Sequence, residues 1–254
     1  MRIKSSIIIY FTISILVGCQ FNINKQNDID NLPVPKVSSN DKAIIPTMQT
    51  APWSIEGYMT RHINSVNSIQ SNLYDIIFIG DSIIQRFETV GIDNLKIINS
   101  KFTVYNLGFE GDKTENVLWR LHNGELPNNN HTKYFVILIG TNNSKFNNDA
   151  PESIASGIGH IITLIHKVSP DTKILLLSIL PRGRDKFDIC RKNNERVNSI
   201  IKKYNSHLNV IYIDLTEYFI DDYGNLISEN YNSDYVHITP KGYSIIKNKI
   251  FEYL

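Results

Sequence analysis

Five short apolar runs mark the chain beyond its first third: Ile76–Ile79, Thr103–Leu107, Phe135–Ile139, Ile174–Ile179 and Val210–Ile213. Each has the length of a strand, and each is nearly continuous rather than alternating. That is the pattern of strands covered on both faces by helices. Helical spacing fills the gaps between them. Val117, Leu118 and Leu121 form one set, and Ile154, Ile158, Ile161, Ile162 and Ile165, with Pro151 in the first turn, form a second. Val197, Ile200, Ile201 and Tyr204 form a third. A last helix is expected with Thr239 as its cap and Pro240 at its first position, running through Ile246, Ile250 and Leu254. Near the start, Ser54 has the chemistry of a cap, and Ile55, Met59 and Ile63 recur every four residues as the buried face of a helix would. Strands alternating with helices predict one three-layer α/β/α domain with a mainly parallel five-stranded sheet.

The amino terminus follows a different pattern. Arg2 and Lys4 precede an apolar stretch, Ile7 to Val17, which is short for a bilayer span but suits a secretory signal. Leu16-Val17-Gly18-Cys19 follows and resembles the lipobox of bacterial lipoproteins, which implies a lipid on Cys19. Residues 1–18 are therefore expected to be a signal peptide. The segment 19–51, rich in Asn, Asp, Lys, Ser and Pro, is expected to be a flexible tether, with the domain running from 52 to 254. The expected location is the cell envelope. Gln20 stands where an Asp would resemble an inner-membrane retention signal, which favours the outer membrane or periplasmic face in a Gram-negative cell.

Composition narrows the function. The 254 residues are 42% hydrophobic and 20% charged, enough apolar material for a sizeable core. A net charge of +1 without basic runs gives no footprint for nucleic acid. With Cys19 lipidated, Cys190 has no partner for a disulfide and reads as a packed or surface thiol. No cluster has the spacing of a metal site, and Gly157-x-Gly159 lies within a helical pattern, so neither a metal nor a dinucleotide cofactor is expected.

In an open parallel sheet, ligands sit beyond the carboxyl ends of the strands. Those ends carry the chemistry. Gly80-Asp81-Ser82 follows the first run, Asn106-Leu107-Gly108-Phe109-Glu110-Gly111-Asp112 closes the second, and Gly140-Thr141-Asn142-Asn143 follows the third. Asp234-Tyr235-Val236-His237 stands just before the last helix. Each is ordinary turn chemistry alone. Together they bring a serine, a glycine N–H, an amide and an Asp/His pair to one rim. A serine at a helix start can act as a nucleophile once a histidine takes its proton, and Asp234 can orient His237. The N–H groups of Ser82 and Gly108 and the amide of Asn142 can bind the oxyanion that forms. Asp81 reads as a hydrogen-bonder within its turn, and Trp119 and Arg120 as packing and structural pairing. The absence of Gly-x-Ser-x-Gly excludes the α/β-hydrolase elbow.

These blocks resemble, in order, those of the SGNH or GDSL hydrolases, over about Ile76 to Leu254. Ser82 matches the nucleophile, Gly108 the oxyanion glycine, Asn142 the oxyanion asparagine, and Asp234 and His237 the acid and base. Ile83 replaces the Leu of the motif's name, at a position that packs. The stretch through Val117-Leu118-Trp119-Arg120-Leu121 and Asn123-Gly124-Glu125-Leu126, with Leu180-Pro181-Arg182-Gly183, resembles the platelet-activating-factor acetylhydrolase catalytic subunits. The resemblance implies a flavodoxin-like fold and a serine esterase with preference for a small acyl group on a glycan or lipid. Two alternatives use the same residues: an O-acyltransferase, and a lipid-anchored binding module without turnover.

Overall fold

The structure is a computed structural model that describes residues 32–52, 55–207 and 209–254. Cys19, the signal segment and the Ser54 cap lie outside the described residues. The five apolar runs form β1 (Ile76–Gly80), β2 (Val104–Gly108), β3 (Tyr134–Leu138), β4 (Lys173–Leu177) and β5 (Val210–Ile213), within one or two residues of the expected bounds. They make one parallel sheet in the order β2-β1-β3-β4-β5.

Successive side chains of a strand point to opposite faces, so continuous apolar strands need cover on both. One face presents Ile77, Ile79, Phe135, Ile137, Ile174 and Leu176. It is covered by α4 (Thr114–Arg120), α5 (Pro151–Val168) and α6 (Ile189–Ile201) through residues such as Val117, Ile158 and Val197. The other presents Ile76, Phe78, Val136, Leu138, Leu175 and Leu177. It packs on α2 (Ser82–Gln85), α3 (Ile92–Asn99) and α7 (Pro240–Phe251) through Ile84, Ile98 and Ile246. This is the three-layer arrangement expected. The last helix begins as read, with Thr239 capping it and Pro240 in its first turn.

Two expectations are corrected. The opening helix, α1 (Tyr58–Ser71), buries Tyr58, His62, Ser65 and Ile69, while Met59 and Ile63 face solvent and Ile55 lies before it, exposed. Its inner face is partly polar because it meets a buried charged cluster: the His62 ring hydrogen-bonds Glu125 at 2.7 Å. The tether does not extend to 51. Residues 32–50 lie along the domain, with Leu32, Ala43 and Gln49 buried, the Ala43 carbonyl accepting from Thr114 at 2.8 Å and Thr47 N–H donating to the Glu115 carbonyl at 3.0 Å. Leu32 joins the core with Val34 packed against it, and from Asp41 onward the arm is held by hydrogen bonds, most of them using a side chain. Among the described residues no helix is long and apolar enough to cross a membrane.

From β1 the chain moves to one neighbour, β2, and then returns to the other side for β3. The crevice where strand order reverses lies beyond the carboxyl ends of β1 and β3, the usual position for a ligand in such sheets.

Candidate active site

Ser82 opens α2 at this crevice. Asp81 caps the helix, its carboxylate accepting the Ile83 N–H at 2.9 Å. The Ser82 N–H, at the first helical position, has no acceptor one turn back. Only 6% of Ser82 is exposed. Burial lifts the Asp81 carboxyl to about 7, against the opposing Ile83 N–H and the charge of Arg182. Asp81 is thus the turn residue expected.

The Ser82 hydroxyl lies 2.9 Å from His237 Nε2, and His237 Nδ1 lies 2.6 Å from Asp234 Oδ2. A carboxylate can only accept, so the ring proton sits on Nδ1 and the Nε2 lone pair faces the hydroxyl. The other Asp234 oxygen accepts the backbone N–H groups of Val236 (3.0 Å) and His237 (2.9 Å). Partial burial pushes the Asp234 carboxyl up, but the His237 ring and those two N–H groups outweigh it and hold it below the usual range. The turn that sets this geometry places Tyr235 in the left-handed region, φ 55°. Its carbonyl accepts from Gly183 N–H at 2.9 Å, tying the turn to the loop after β4. A hydroxyl, an imidazole and a carboxylate in series can pass a proton from the first to the second while the third balances the charge.

Asn142, 7% exposed, follows β3, and its side-chain amide donates to the Asp112 carbonyl at 3.0 Å. That contact brings the loop after β2 to the crevice. Gly108 does not present a free N–H there: it donates to the Asn106 side chain at 2.7 Å. Gly108 is the last residue of β2, paired with Gly80, and an added Cβ would stand 2.1 Å from Gln85 N. Its smallness is explained by the close passage of α2. The other glycine of the block, Gly111, has φ 76° and adjoins the Asp112 peptide held by Asn142. Two glycines three residues apart look alike in sequence; only the backbone distinguishes them.

Under this loop lies a buried charged cluster. Arg120 is fully buried; it donates to Asp112 at 2.8 Å and to the Leu107 carbonyl at 3.2 Å, is paired with Glu125, and stacks 3.9 Å over the Phe109 ring. Burial pushes Asp112 up to about 7 despite Arg120. This is the structural pairing read for Arg120. Of the remaining histidines, His62 and His166 are buried and His122 is exposed. Cys190 is buried, its thiol 3.6 Å from the Ser144 carbonyl.

A sequence model of the GDSL-like lipase/acylhydrolase family matches residues 78–245, a span that holds Ser82, Gly108, Gly111, Asn142, Asp234 and His237. The chain belongs to that family. The platelet-activating factor acetylhydrolase IB subunit alpha2 of Rattus norvegicus is 34% identical over 214 residues, which cover 84% of this chain and 90% of the relative. A solved protein of Streptococcus pneumonia superposes with a TM-score of 0.68 at 23% identity, covering 79% of this chain and 94% of that one. An acetylxylan esterase of Geobacillus stearothermophilus, solved as a catalytic mutant, superposes at 0.56 with 14% identity, covering 70% and 92%. As a GDSL-type acylhydrolase, the protein is a carboxylic ester hydrolase.

Proposed function

We propose that the protein is a serine esterase that removes a small acyl group, acetyl above all, from a glycan or lipid through an acyl-enzyme. The observation that carries this is the unbroken series Ser82, His237, Asp234, which ends on a buried hydroxyl at the sheet's crevice. Ser82 Oγ attacks the ester carbonyl carbon as its proton passes to His237 Nε2, and Asp234 stabilises the imidazolium. The carbonyl oxygen becomes an oxyanion that receives the N–H of Ser82, the amide of Asn142 and the N–H of Gly111, which replaces Gly108 in this role. Collapse breaks the C–O bond to the alcohol, which leaves with the proton from His237. Water then repeats the sequence on the acyl-enzyme and releases the acid.

Acetyl is the group named in both the acetylhydrolase relative and the acetylxylan esterase. Leu16-Val17-Gly18-Cys19 supports attachment to the cell envelope through a lipid on Cys19. The test is hydrolysis of p-nitrophenyl acetate and p-nitrophenyl octanoate by the full chain, beside Ser82→Ala. Wild type is expected to cleave the acetate faster than the octanoate, and Ser82→Ala neither. Equal rates for wild type and Ser82→Ala would refute the nucleophile, and preference for octanoate would refute the acyl group.

A further inference from the structure

The arm of residues 32–50 ends on the loop that the proposed mechanism depends on. It is fastened stepwise: Ser153 donates to Asp41 at 2.5 Å, Thr114 to the Ala43 carbonyl at 2.8 Å, and Asn116 to the Thr47 carbonyl at 2.9 Å. Gln49 follows, 3% exposed, and donates from Nε2 to the Gly111 carbonyl at 2.9 Å. Its Oε1 accepts the N–H groups of Thr50 and Ala51, both at 3.0 Å. With the oxygen facing two donors, the amide can be oriented only one way, so the bond to Gly111 is a true donation.

Gly111 stands within a turn closed by the Asp112 N–H donating to the Phe109 carbonyl at 3.2 Å. A glycine at φ 76° has no Cβ to restrict rotation about either of its soft dihedrals. Its neighbour is already fixed: Asp112 is held by Arg120 through its side chain, and its carbonyl accepts from Asn142. The Gly111 carbonyl shares its peptide plane with the Asp112 N–H that closes the turn. Gln49 is the second hold on that plane, and the Gly111 N–H projects from the other side of the same Cα, so the two bonds together limit how far the turn that carries this N–H can shift.

The geometry points to Gln49 as a positioning residue for the oxyanion site, acting through the Gly111 carbonyl, so that the amino-terminal arm is a working part of the esterase. This rests on the serine-esterase reading above. Gln49 itself touches no reacting atom. Its contribution is confined to the transition state, because the oxyanion exists only there.

Two variants of the full chain test it. Gln49→Glu keeps the acceptor for Thr50 and Ala51 but, ionised, cannot donate to Gly111. Gln49→Met keeps the length and loses both bonds. Measured on p-nitrophenyl acetate and normalised to folded protein by circular dichroism, kcat is expected to fall about 10- to 100-fold in each, with KM nearly unchanged. Affinity for a boronic acid, which becomes a tetrahedral anion on the serine, is expected to fall by a similar factor. In Gln49→Glu the ratio of its kcat to that of wild type is expected to recover as pH is lowered, since a protonated carboxyl donates again. Wild-type kcat and boronic acid affinity in both variants would overturn the inference. So would losses explained by the unfolded fraction alone. Ser82→Ala run beside them separates the two ideas: if it is inactive while both Gln49 variants behave as wild type, only the role of Gln49 fails.

Discussion

The hydroxyl of Ser82 and the imidazole of His237 meet at 2.9 Å across 155 positions of sequence. Ser82 is carried by the turn from β1 into α2, and His237 by a turn immediately before α7, so both depend on the same layer of the domain. The Tyr243 hydroxyl, donating to the Ile83 carbonyl at 2.8 Å, ties α7 to α2 directly.

Asp234 reaches His237 from a turn where its side chain is 47% exposed. Asp234→Asn presents an amide that can donate to Nδ1, which favours the tautomer with its proton on Nε2, the wrong one for a base. Turnover of p-nitrophenyl acetate is expected to fall by about 10²- to 10⁴-fold with little change in KM. Steady-state kinetics equal to wild type would remove Asp234 from the proton path.

Asn142 and Gly108 are expected to fail differently when replaced. Asn142→Ala removes a donor from the proposed oxyanion site and is expected to lower kcat by about 10²- to 10³-fold in a normally folded protein. Gly108→Ala puts a methyl 2.1 Å from Gln85 N and is expected to lower the melting temperature first. Kinetics and calorimetry on the same samples separate the two outcomes; a stable Gly108→Ala protein with lost turnover would return Gly108 to the oxyanion role.

Arg120 is fully buried between Asp112 and Glu125. Arg120→Met leaves two carboxyls without their cation, and such a broken buried pair costs about 3–5 kcal/mol. Urea unfolding is expected to show that loss. A midpoint within error of wild type would mean that the carboxyls find other compensation.

Much of this was legible in the chain, for identifiable reasons. Ile76–Gly80 and Phe135–Leu138 read as strands because both faces of the sheet are covered and every position is apolar. Helix α3 left no comparable signal: Leu95 and Ile98 are buried, but Ile92 and Ile97 are exposed, so no single apolar stripe exists. The buried face of α1 departs from the apolar spacing because His62 and Ser65 line it, opposite a charged cluster that no local pattern reveals. The arm at 32–50 has the composition of a tether because its few apolar contacts, Leu32, Val34 and Ala43, are too scattered to show a period. The rest of its hold is made by hydrogen bonds, for which Thr47 and Gln49 look the same in a linker. Within the site, residue types pointed to Ser82, Asp234 and His237, which lie in one hydrogen-bonded series, and to Asn142, whose amide meets the loop after β2. The proposal of Gly111 in place of Gly108 rests on a backbone angle and an occupied N–H, neither of which residue types display.

Stability should carry a pH signature of the buried carboxyls. Burial raises Asp81 and Asp112 to about 7, from 3.8 for an ordinary aspartate. The folded state therefore holds these protons more tightly than the unfolded chain. Their contribution is complete below about pH 4 and is lost as pH rises through about 7. Asp75, held at about 2 chiefly by Lys133, titrates below that window. Between pH 5 and 8 the urea midpoint of wild type is expected to lose more than that of Asp81→Asn, in which one such group is gone. Equal changes in the two proteins would show that Asp81 does not bind its proton as described.

The most direct measurement is covalent labelling of the full chain by a fluorophosphonate, followed by peptide mass mapping. One adduct per chain on Ser82 is expected, with labelling lost in Ser82→Ala and greatly slowed in His237→Ala. An intact chain that takes up no label, or an adduct on any other residue, would contradict the account.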